Sequence, residues 1–459
     1  MDLNKSKALN IISHNKGFNK KIILLLTFGV LFVFSYYALL RYAQSPWNRQ
    51  FIANYLYSVR STDSKFLEGS NNCNCPSFFI KTGKKTLDNY DQIVNSMLSF
   101  RIKVKRMLHI LFNYPDPYLE TILPRMQYSP ATVEYDNTRH KAKIKLTGGQ
   151  VDHFDSERRS LRIKLKYTTI FGMSKFNIYN PKARLGGIYE WIGHELMKYS
   201  GLIPLGTGYV NVSINNNNKG IYFYQEQPTI QMLINNKKYP GLLVRISHTT
   251  SNNQNQMKVV NLYDEKSFPS KELFNDQHEI LKNKFSDYNS SKIGIEQVVS
   301  IPKLAKYSAV VDLINGYHGA ASHNNYYYLN PVDSLLEPIG REFTTNYYLP
   351  RWGKIFKYEE NQFVKSKVLF MQTKFNLDSV ASIVFQRYYY AHLQKISETE
   401  YLDHFMNQID DELRERQFCL YKSSPNFKSF SKEHYYDNQI MIKEYLNEIQ
   451  YLQSQTTEN

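Results

Sequence analysis

The amino-acid sequence predicts an α+β protein in which a sheet-rich first part precedes a helical second part. Two segments, KAKIKLTGG at 141–149 and RRSLRIKLK at 158–166, alternate apolar residues with basic ones. Such alternation is typical of strands that bury one face. Beyond residue 300, apolar residues recur instead at the spacing of helices. Strands followed by a run of helices indicate the α+β class.

Composition narrows the class of protein. The chain has 459 residues, and its 57 lysines and arginines against 41 aspartates and glutamates give a net charge of +16. This length allows one large domain or two ordinary ones. A hydrophobic content of 42% excludes a disordered or collagen-like chain, and three cysteines exclude a disulfide scaffold. The positive charge favours a bland basic surface, or one that faces anionic lipid or polysaccharide, over a nucleic-acid partner.

The amino terminus carries a candidate membrane anchor. Residues 22–40, IILLLTFGVLFVFSYYALL, form an uncharged run of 19 residues, and as a helix this run spans a hydrocarbon core of roughly 30 Å. More basic residues precede the run than follow it, so the positive-inside rule predicts a cytoplasmic tail at 1–21 and an extracytoplasmic main domain. We therefore expect a single-pass protein that contacts membrane lipid through residues 22–40. A cleaved signal peptide is the alternative.

The three cysteines leave two interpretations open. Cys73 and Cys75 lie in NNCNCPSFF, too close in sequence to pair comfortably with each other, and no second pair completes a zinc site. Cys419 lies far along the chain. A disulfide from Cys419 to one of the first two cysteines and a set of free thiols both fit the sequence.

The predicted elements of the first part run from a stalk to a hairpin. Residues 41–98 are polar and indicate a stalk or a loosely packed cap. The main domain begins at 99, where FRIKVKRMLHIL predicts a strand, and the two alternating segments follow. GYVNVSI and GIYFYQEQ flank an asparagine-rich turn, so 210–214 and 221–226 predict a hairpin.

One helix interrupts these strands, at about 188–200, and Gly201 supplies the left-handed residue that ends it. Its apolar residues form a single stripe, and Glu195 lies within that stripe. A carboxylate on a buried face requires a cationic or hydrogen-bonding partner. Arg162 or Lys164, on the preceding strand, is the expected partner. In the alternative interpretation, Glu195 lies at the edge of the apolar face.

The second part is predicted to be mostly helical. Residues 304–314 carry apolar side chains at the spacing of a buried helix that ends at Gly316. Residues 402–413 predict another helix behind a capping box at 397–400, and residues 436–452 predict the last helix.

The densest group of polar residues lies among these helices, in YHGAASHNNYYYLNP and LLEPIGREF at 317–343. A strand–loop–strand arrangement would present His318, Asn324 and Glu342 together, as in phosphoryl-transfer sites where oxygen ligands bind magnesium. In the other interpretation, the histidines and asparagines only cap turns. The sequence contains no dinucleotide-binding glycine motif, P-loop, nucleophile elbow or zinc-protease motif.

Several blocks in the same order carry a family resemblance. KIKLTGGQVDHFDSERRSLRIKLKYTTIFGMSKFNIYNPKARLGGIYEWIGHELMKYSGLI, YVNVSINNNNKGIYFYQEQ and INGYHGAASHNNYYYLNPVDSLLEPIG together resemble the CotH kinase-like family, most of all a bacterial membrane-anchored branch of it. The resemblance implies an atypical protein-kinase-like fold, with a sheet-rich N-lobe at about 99–230 and a helical C-lobe at about 231–459. It also implies ATP and Mg²⁺ or Mn²⁺, because some spore-coat members phosphorylate proteins with ATP and a divalent metal.

The resemblance implies cofactor-binding roles for residues of the first part. Arg162 and Lys164, with Ser160, stand where the family has its basic strand, which in a kinase-like lobe reaches the nucleotide phosphates. Glu190 matches the family's helix motif, whereas helical periodicity selects Glu195 as the buried carboxylate. Both stay candidates.

The hairpin and the catalytic positions match the family only in part. Glu226 matches the hairpin that leads to the lobe junction. In the branch with demonstrated kinase activity, one aspartate precedes the Asn-Tyr-Tyr segment and another follows the Pro-Ile pair. Here His318 lies near the first position and Glu342 replaces the second. His318 is therefore the candidate base, Asn324 the amide that orients metal or phosphate, and Glu342 the metal carboxylate. Gly149 stands where relatives often carry an acidic residue.

Two functions follow from these residues and the resemblance. The first is an ATP- and metal-dependent phosphotransferase that acts on an envelope protein or glycan. The second is a catalytically silent, kinase-like protein that binds partners in cell-envelope or surface-polysaccharide assembly. Glycan hydrolysis is disfavoured because the sequence has no clear pair of catalytic acids.

Overall fold

The computed structural model describes residues 73–99, 122, 125–148, 153, 158–181, 187–251, 254–316, 319, 324, 326–343, 379–423 and 429–457. These residues form eleven β-strands and eight α-helices. His318, Gly149 and most of the strand predicted from residue 99 lie outside the described residues.

The first part is a seven-stranded closed barrel. Its strand order is β1-β2-β3-β4-β5-β7-β6, and a parallel pairing of β6 with β1 closes the sheet. All other neighbouring strands are antiparallel. The strands are β1 (Ser77–Thr82), β2 (Ser129–Tyr135), β3 (Thr138–Leu146), β4 (Leu161–Leu165), β5 (Lys175–Tyr179), β6 (Thr207–Ile214) and β7 (Asn217–Glu226).

Alternating side chains fill the barrel. Leu161, Ile163 and Leu165 of β4 point inward with Phe78 and Phe176, and all five are buried, because successive side chains of a strand face opposite sides of the sheet. Helix α1 (Lys84–Leu98) packs against this core. The sequence assigned residues 77–98 to a stalk or cap, whereas the structure builds β1 and α1 of the barrel from them.

The second part combines helices with a four-stranded sheet of order β11-β10-β8-β9. Its elements begin after α2 (Ile188–Tyr199), which precedes β6. They are α3 (Ile230–Asn235), β8 (Leu243–Ser251), β9 (Gln254–Tyr263), α4 (Lys271–Asn289), α5 (Ile301–Leu313), β10 (Tyr326–Asn330), β11 (Leu335–Ile339), α6 (Ser379–Ser397), α7 (Thr399–Ser423) and α8 (Glu433–Thr457).

Helix α2 joins the two parts. Trp191 and Leu196 are completely buried in a core that also contains Phe223 of the barrel, Val310 of α5 and Leu402 of α7. Residues on the outer face of the barrel therefore share a core with the helices, separate from the core inside the barrel, and burial of this apolar surface stabilises the contact of the two parts.

Many predicted elements are confirmed. The helix predicted at 188–200 is α2, and Gly201 follows it with a φ of +66°. The predicted hairpin is β6–β7, and its turn residues Asn215 and Asn216 both have positive φ, as a type I′ turn requires. The predicted strands at 141–149 and 158–166 are β3 and β4, and the predicted helices of the second part are α5, α7 and α8.

The predicted two-lobed, kinase-like fold with a transmembrane helix is wrong. The sheet of the first part closes into a barrel, and the second part contains its own four-stranded sheet. The sequence pattern could not reveal closure, because alternation identifies strands but not their partners. Strand β1, which closes the barrel, comes from the segment that was assigned to the stalk.

The predicted single-pass topology is also corrected. Among the residues that the structure describes, no helix is both long enough and apolar enough to cross a membrane. The predicted anchor at 22–40 and the predicted cytoplasmic tail at 1–21 lie outside the described residues.

A disulfide resolves the cysteine alternatives. Cys73, just before β1, is bonded to Cys419 of α7, and Cys75 is a free cysteine. The bond connects residues 346 positions apart, so it links the segment that leads into β1 of the barrel to helix α7 of the helical part.

Candidate functional site

Basic residues line the outer face of β3, β4 and β5, and Lys143 at the edge of the group is directly opposite Lys164. Lys145 is directly opposite Arg162, and Lys164 is directly opposite Lys175. We call Lys145, Arg162, Lys164 and Lys175 the basic cluster. Like charges directly across a sheet repel each other. Among the described residues, no carboxylate forms a salt bridge with any member of the cluster.

The pKa of Lys175 shows the combined effect of burial and like charge. Burial, then the charge of Arg162, lowers the pKa of Lys175 to about 8, and Lys164 and Lys145 add to this effect while Asp264 opposes it. Burial and Arg162 also lower the pKa of Lys145. A bound anion would relieve both effects, because it supplies the opposite charge that the cluster lacks.

A chain of polar side chains leads from the basic cluster to helix α2. The Nε–H of Arg162 donates to Oδ1 of Asn177 at 2.8 Å. Asn177 of β5 lies opposite Gln225 of β7, and Nε2 of Gln225 donates to Oε1 of Glu190 at 2.6 Å. All three residues after Arg162 in this chain are buried.

Glu190 and His194 form a buried pair on one face of α2. The backbone N–H of Leu205 donates to Nδ1 of His194 at 3.1 Å. Nδ1 must therefore accept, and Nε2 lies 3.0 Å from Nε2 of Gln225 and 3.3 Å from Oε1 of Glu190. Burial, with a further effect of the Glu190 carboxylate, raises the pKa of Tyr307 in α5 and of Tyr435 in α8. Glu190 thus lies where the barrel meets two helices of the second part.

The predicted ion pair of Glu195 with Arg162 or Lys164 is wrong. Oε2 of Glu195 lies 3.8 Å from Nζ of Lys198, and the Glu195 side chain is 26% exposed. Glu195 therefore lies at the edge of the apolar face, as the alternative interpretation stated. Helical periodicity selected the wrong carboxylate because every residue from 188 to 194 is buried, so α2 is covered on nearly all sides rather than along one stripe.

Glu342 and Phe343 follow strand β11 and approach the same helix. Glu342 is 9% exposed, and its Oε1 lies 3.5 Å from Nε of Arg341. The completely buried Phe343 contacts the His194 ring edge to face, with ring centroids 5.0 Å apart. A side chain on Gly193 would collide with the Phe343 ring, so the glycine permits this close contact. The backbone that carries Glu342 is thereby anchored to α2 through the neighbouring Phe343.

Of the two other predicted catalytic residues, the structure describes only one. Asn324 lies in a turn before β10 and is partly buried, and His318 lies outside the described residues. Carboxylate and amide oxygens such as those of Glu342 and Asn324 are ligands that Mg²⁺ and Mn²⁺ accept. In the part of the chain that the structure describes, the only close group of three potential metal-ligating side chains among His, Cys, Asp and Glu is Cys73, Cys75 and Cys419.

Glu226 does not join the polar chain. It is opposite Phe176, whose side chain lies in the barrel core, whereas its neighbour Gln225 faces Glu190. Oε2 of Glu226 accepts from the backbone N–H of Gly206 at 3.0 Å. Burial raises the pKa of this carboxyl to about 7. The structure therefore separates Glu226 from the other predicted cofactor-binding residues by placing it on the other face of β7.

Sequence reasoning missed five residues of this arrangement, because their contacts depend on strand pairing. Two signals were available, namely the alternation that puts Lys145 on the same face as its neighbours and the four-residue spacing of Glu190 and His194. No sequence signal fixed the pairing register of β5 with β4 and β7. The missed residues are Lys145, Lys175, Asn177, His194 and Gln225.

Comparison with known proteins identifies relatives at the family level. A family model described as "CotH kinase protein" matches residues 148–448, which are the bulk of the chain. The matched span contains Arg162, Lys164, Lys175, Glu190 and Glu342, and it begins just after Lys145. A search of curated proteins finds no match.

Proposed function

The chain belongs to the CotH kinase protein family, and from this premise we propose that it is a phosphotransferase that uses ATP and Mg²⁺ or Mn²⁺. Its acceptor in this proposal is an envelope protein or glycan. The observation that carries the proposal is the basic cluster, which concentrates four cationic side chains without a carboxylate salt bridge among the described residues.

The basic cluster fits the phosphates of a nucleotide. Phosphoryl transfer depends mainly on positioning the phosphates and stabilising their charge. Arg162 binds phosphate through its planar fork, and Lys145, Lys164 and Lys175 act as point charges. The hydrogen bond from Arg162 to Asn177 holds the guanidinium in position. Asn177 in turn donates to the buried Tyr179 hydroxyl, which donates to Gln225, the partner of Glu190.

Glu342 and Asn324 are the residues that would hold the divalent metal. A bound Mg²⁺ or Mn²⁺ would neutralise phosphate charge, and magnesium is commonly held by one or two carboxylates together with substrate phosphates. The contact of Phe343 with His194 orients the backbone that carries Glu342. In this proposal His318 accepts the proton of the acceptor hydroxyl, and the chain's net positive charge favours an anionic acceptor.

One observation favours a catalytically silent binding protein as the second candidate. The Glu342 carboxylate lies beside the Arg341 guanidinium, and within the described residues no group of three His, Cys, Asp or Glu side chains surrounds it. An arginine so close competes with a metal for the same oxygen atoms. Such a protein would bind its envelope or polysaccharide partner through the same basic face without transferring phosphate.

The substitution Glu342→Gln tests the proposal. Glutamine keeps the size of the side chain and removes its charge, so we expect loss of Mg²⁺-dependent ATP binding with little change in melting temperature. Isothermal titration calorimetry with and without Mg²⁺ measures the binding. Glu337→Gln is the matched control, because Glu337 is also buried, within β11, but pairs with Lys238 at 2.9 Å and with Lys303.

The control variant should bind Mg²⁺–ATP like the parent protein. Unchanged binding in Glu342→Gln would remove Glu342 from the site. A parent protein that binds no nucleotide with either metal would favour the silent binding protein.

A further inference from the structure

A second site, which shares no residue with the basic cluster, is formed where the segment before β1, the β6–β7 hairpin and the end of α7 meet. It is a cavity of about 500 Å³ that opens to solvent. All three cysteines line it, together with Arg158, Asn211, Asn218, Lys219, Gly220, Ile221, Lys422 and Ser423.

The sulfur atoms in this cavity are unusually close together. Cys73 is bonded to Cys419, and the Sγ atom of Cys75 lies within 4.8 Å of both. Cys419 is completely buried, whereas Cys73 is only partly buried. A thiol that enters the cavity therefore reaches the disulfide from the Cys73 side.

The remaining wall of the cavity is cationic. Arg158, Lys219 and Lys422 line it, and no aspartate or glutamate is among its described lining residues. The guanidinium of Arg158 is fixed at the end of α7 by donating to Oγ of Ser423 at 3.2 Å and to the Ser423 carbonyl at 3.1 Å. Three positive charges beside a disulfide attract an anionic thiol and stabilise its thiolate form.

We propose that this cavity is a thiol–disulfide exchange site for a small anionic thiol, which forms a mixed disulfide with Cys73. The thiolate sulfur of the ligand attacks Sγ of Cys73 and forms the new S–S bond. The Cys73–Cys419 bond breaks, and its electron pair leaves on Sγ of Cys419, which takes a proton from water. The reverse attack by Cys419 on Cys73 expels the ligand, so the cycle needs no external oxidant.

Cys75 does not react in this exchange. Burial raises the pKa of the Cys75 thiol to about 11, so the thiol is protonated at neutral pH. A protonated thiol is a poor nucleophile. Cys75 therefore leaves the neighbouring disulfide intact for the incoming ligand despite its short distance from both bonded sulfur atoms.

The test uses the full oxidised chain and two probes of opposite charge. Reduced glutathione is the anionic thiol, and cysteamine is the cationic one. We expect intact-mass spectrometry to find one glutathione per chain and peptide mapping to find it on Cys73. Cysteamine should react at least about tenfold more slowly at low ionic strength, because the cavity charges repel it.

Variants separate the roles of the cavity residues. Cys75→Ser should keep the glutathione adduct and Cys73→Ser should lose it. Lys219→Gln combined with Lys422→Gln should slow the reaction with glutathione but not with cysteamine, and Lys282→Gln on the surface of α4 is the control. An adduct on Cys75, equal rates for the two probes, or a rate unchanged by the double lysine variant would each overturn the proposal.

Discussion

Lys175 is the residue at which the basic cluster is held together least favourably. It is opposite Lys164 on the sheet, and burial, together with the charges of Arg162, Lys164 and Lys145, lowers its pKa to about 8. A protein with no anionic ligand gains nothing from this arrangement, because opposed like charges destabilise a sheet. The lowered pKa of Lys175 therefore predicts that the affinity of the cluster for an anion depends on pH.

The variant Lys175→Arg tests this link. In the parent protein, affinity for Mg²⁺–ATP should fall about tenfold per pH unit above pH 8, because the free lysine loses its proton there. Arginine stays charged at every accessible pH, so Lys175→Arg should lose most of this fall between pH 7 and about pH 9. The remaining pH dependence should come from Lys145, whose pKa is also lowered. Calorimetry over this range measures both proteins. A parent affinity independent of pH would exclude Lys175 from the phosphate site.

Glu226 affects stability rather than binding. Its pKa is raised to about 7 from 4.5, so the folded state binds the proton more tightly than the unfolded state does. Its favourable contribution is complete below pH 4.5 and is lost as the pH rises through 7.

The substitution Glu226→Gln should therefore stabilise the protein at high pH. Glutamine mimics the protonated carboxyl, so the free energy of unfolding should rise by up to about 3 kcal/mol at pH 8 and change little at pH 4. Urea unfolding at the two pH values measures the difference. Glu195→Gln, at a side chain that is 26% exposed, should leave the pH dependence of the parent unchanged. Equal effects of Glu226→Gln at both pH values would contradict a raised pKa.

At the scale of elements, glycines at both ends of α2 have a left-handed backbone for different reasons. Gly201 ends the helix with a φ of +66°, and a side chain there would meet nothing within 4 Å. Gly187 begins the helix with a φ of +79°, and a Cβ there would lie 2.4 Å from the ring of Phe223. Gly201 is thus required only for its left-handed backbone. Gly187 is also required because a side chain there would keep α2 from approaching the barrel.

Alanine substitutions at Gly201 and Gly187 separate the cost of a left-handed backbone from the cost of a steric clash. Gly201→Ala should lower the free energy of unfolding by about 1 kcal/mol, which is the strain of a left-handed alanine. Gly187→Ala should lower it by roughly 1–3 kcal/mol more, because the methyl group also displaces Phe223. Urea unfolding measures both variants. Equal losses would mean that Phe223 moves aside freely and that the close packing of α2 on β7 contributes little.

The sequence predicted single strands and helices well, but it did not predict which strands pair with each other. The alternation in β3 and β4 and the asparagine turn of β6–β7 depend on residues a few positions apart, so these elements could be predicted. Alternation also indicated that Arg162 and Lys164 share a face. It did not indicate that β5 brings Lys175 and Asn177 to that face, because register between strands is set by contacts over long sequence separations.

At the scale of the whole molecule, the candidate site depends on packing among three separate regions. The barrel supplies the basic cluster and Gln225, α2 supplies Glu190 and His194, and the end of β11 supplies Glu342. The segment before β1 and the disulfide with Cys419 bind the barrel to the helices. No local pattern encodes such contacts. The sequence predicted Glu342 from a segment dense in polar residues and from a family resemblance, and it chose the wrong carboxylate, Glu195, by periodicity.

Phe343 connects these regions, and its truncation should uncouple the metal position from α2. Phe343→Leu removes part of the ring that packs on Gly193 and His194, so it should lower the free energy of unfolding by about 1–2 kcal/mol. It should also weaken Mg²⁺–ATP binding roughly tenfold, or by about 1.4 kcal/mol, because Glu342 loses its fixed position.

Phe385→Leu is the matched control for this prediction. Phe385 is nearly as deeply buried as Phe343, but its ring stacks on Tyr389 within α6 rather than on His194. Its truncation should cost a similar free energy of unfolding and leave ATP binding unchanged. Calorimetry at a temperature where both variants are fully folded separates the two effects. Equal weakening in both variants would trace the loss to general destabilisation, whereas a loss confined to Phe343→Leu means that packing across α2 positions Glu342.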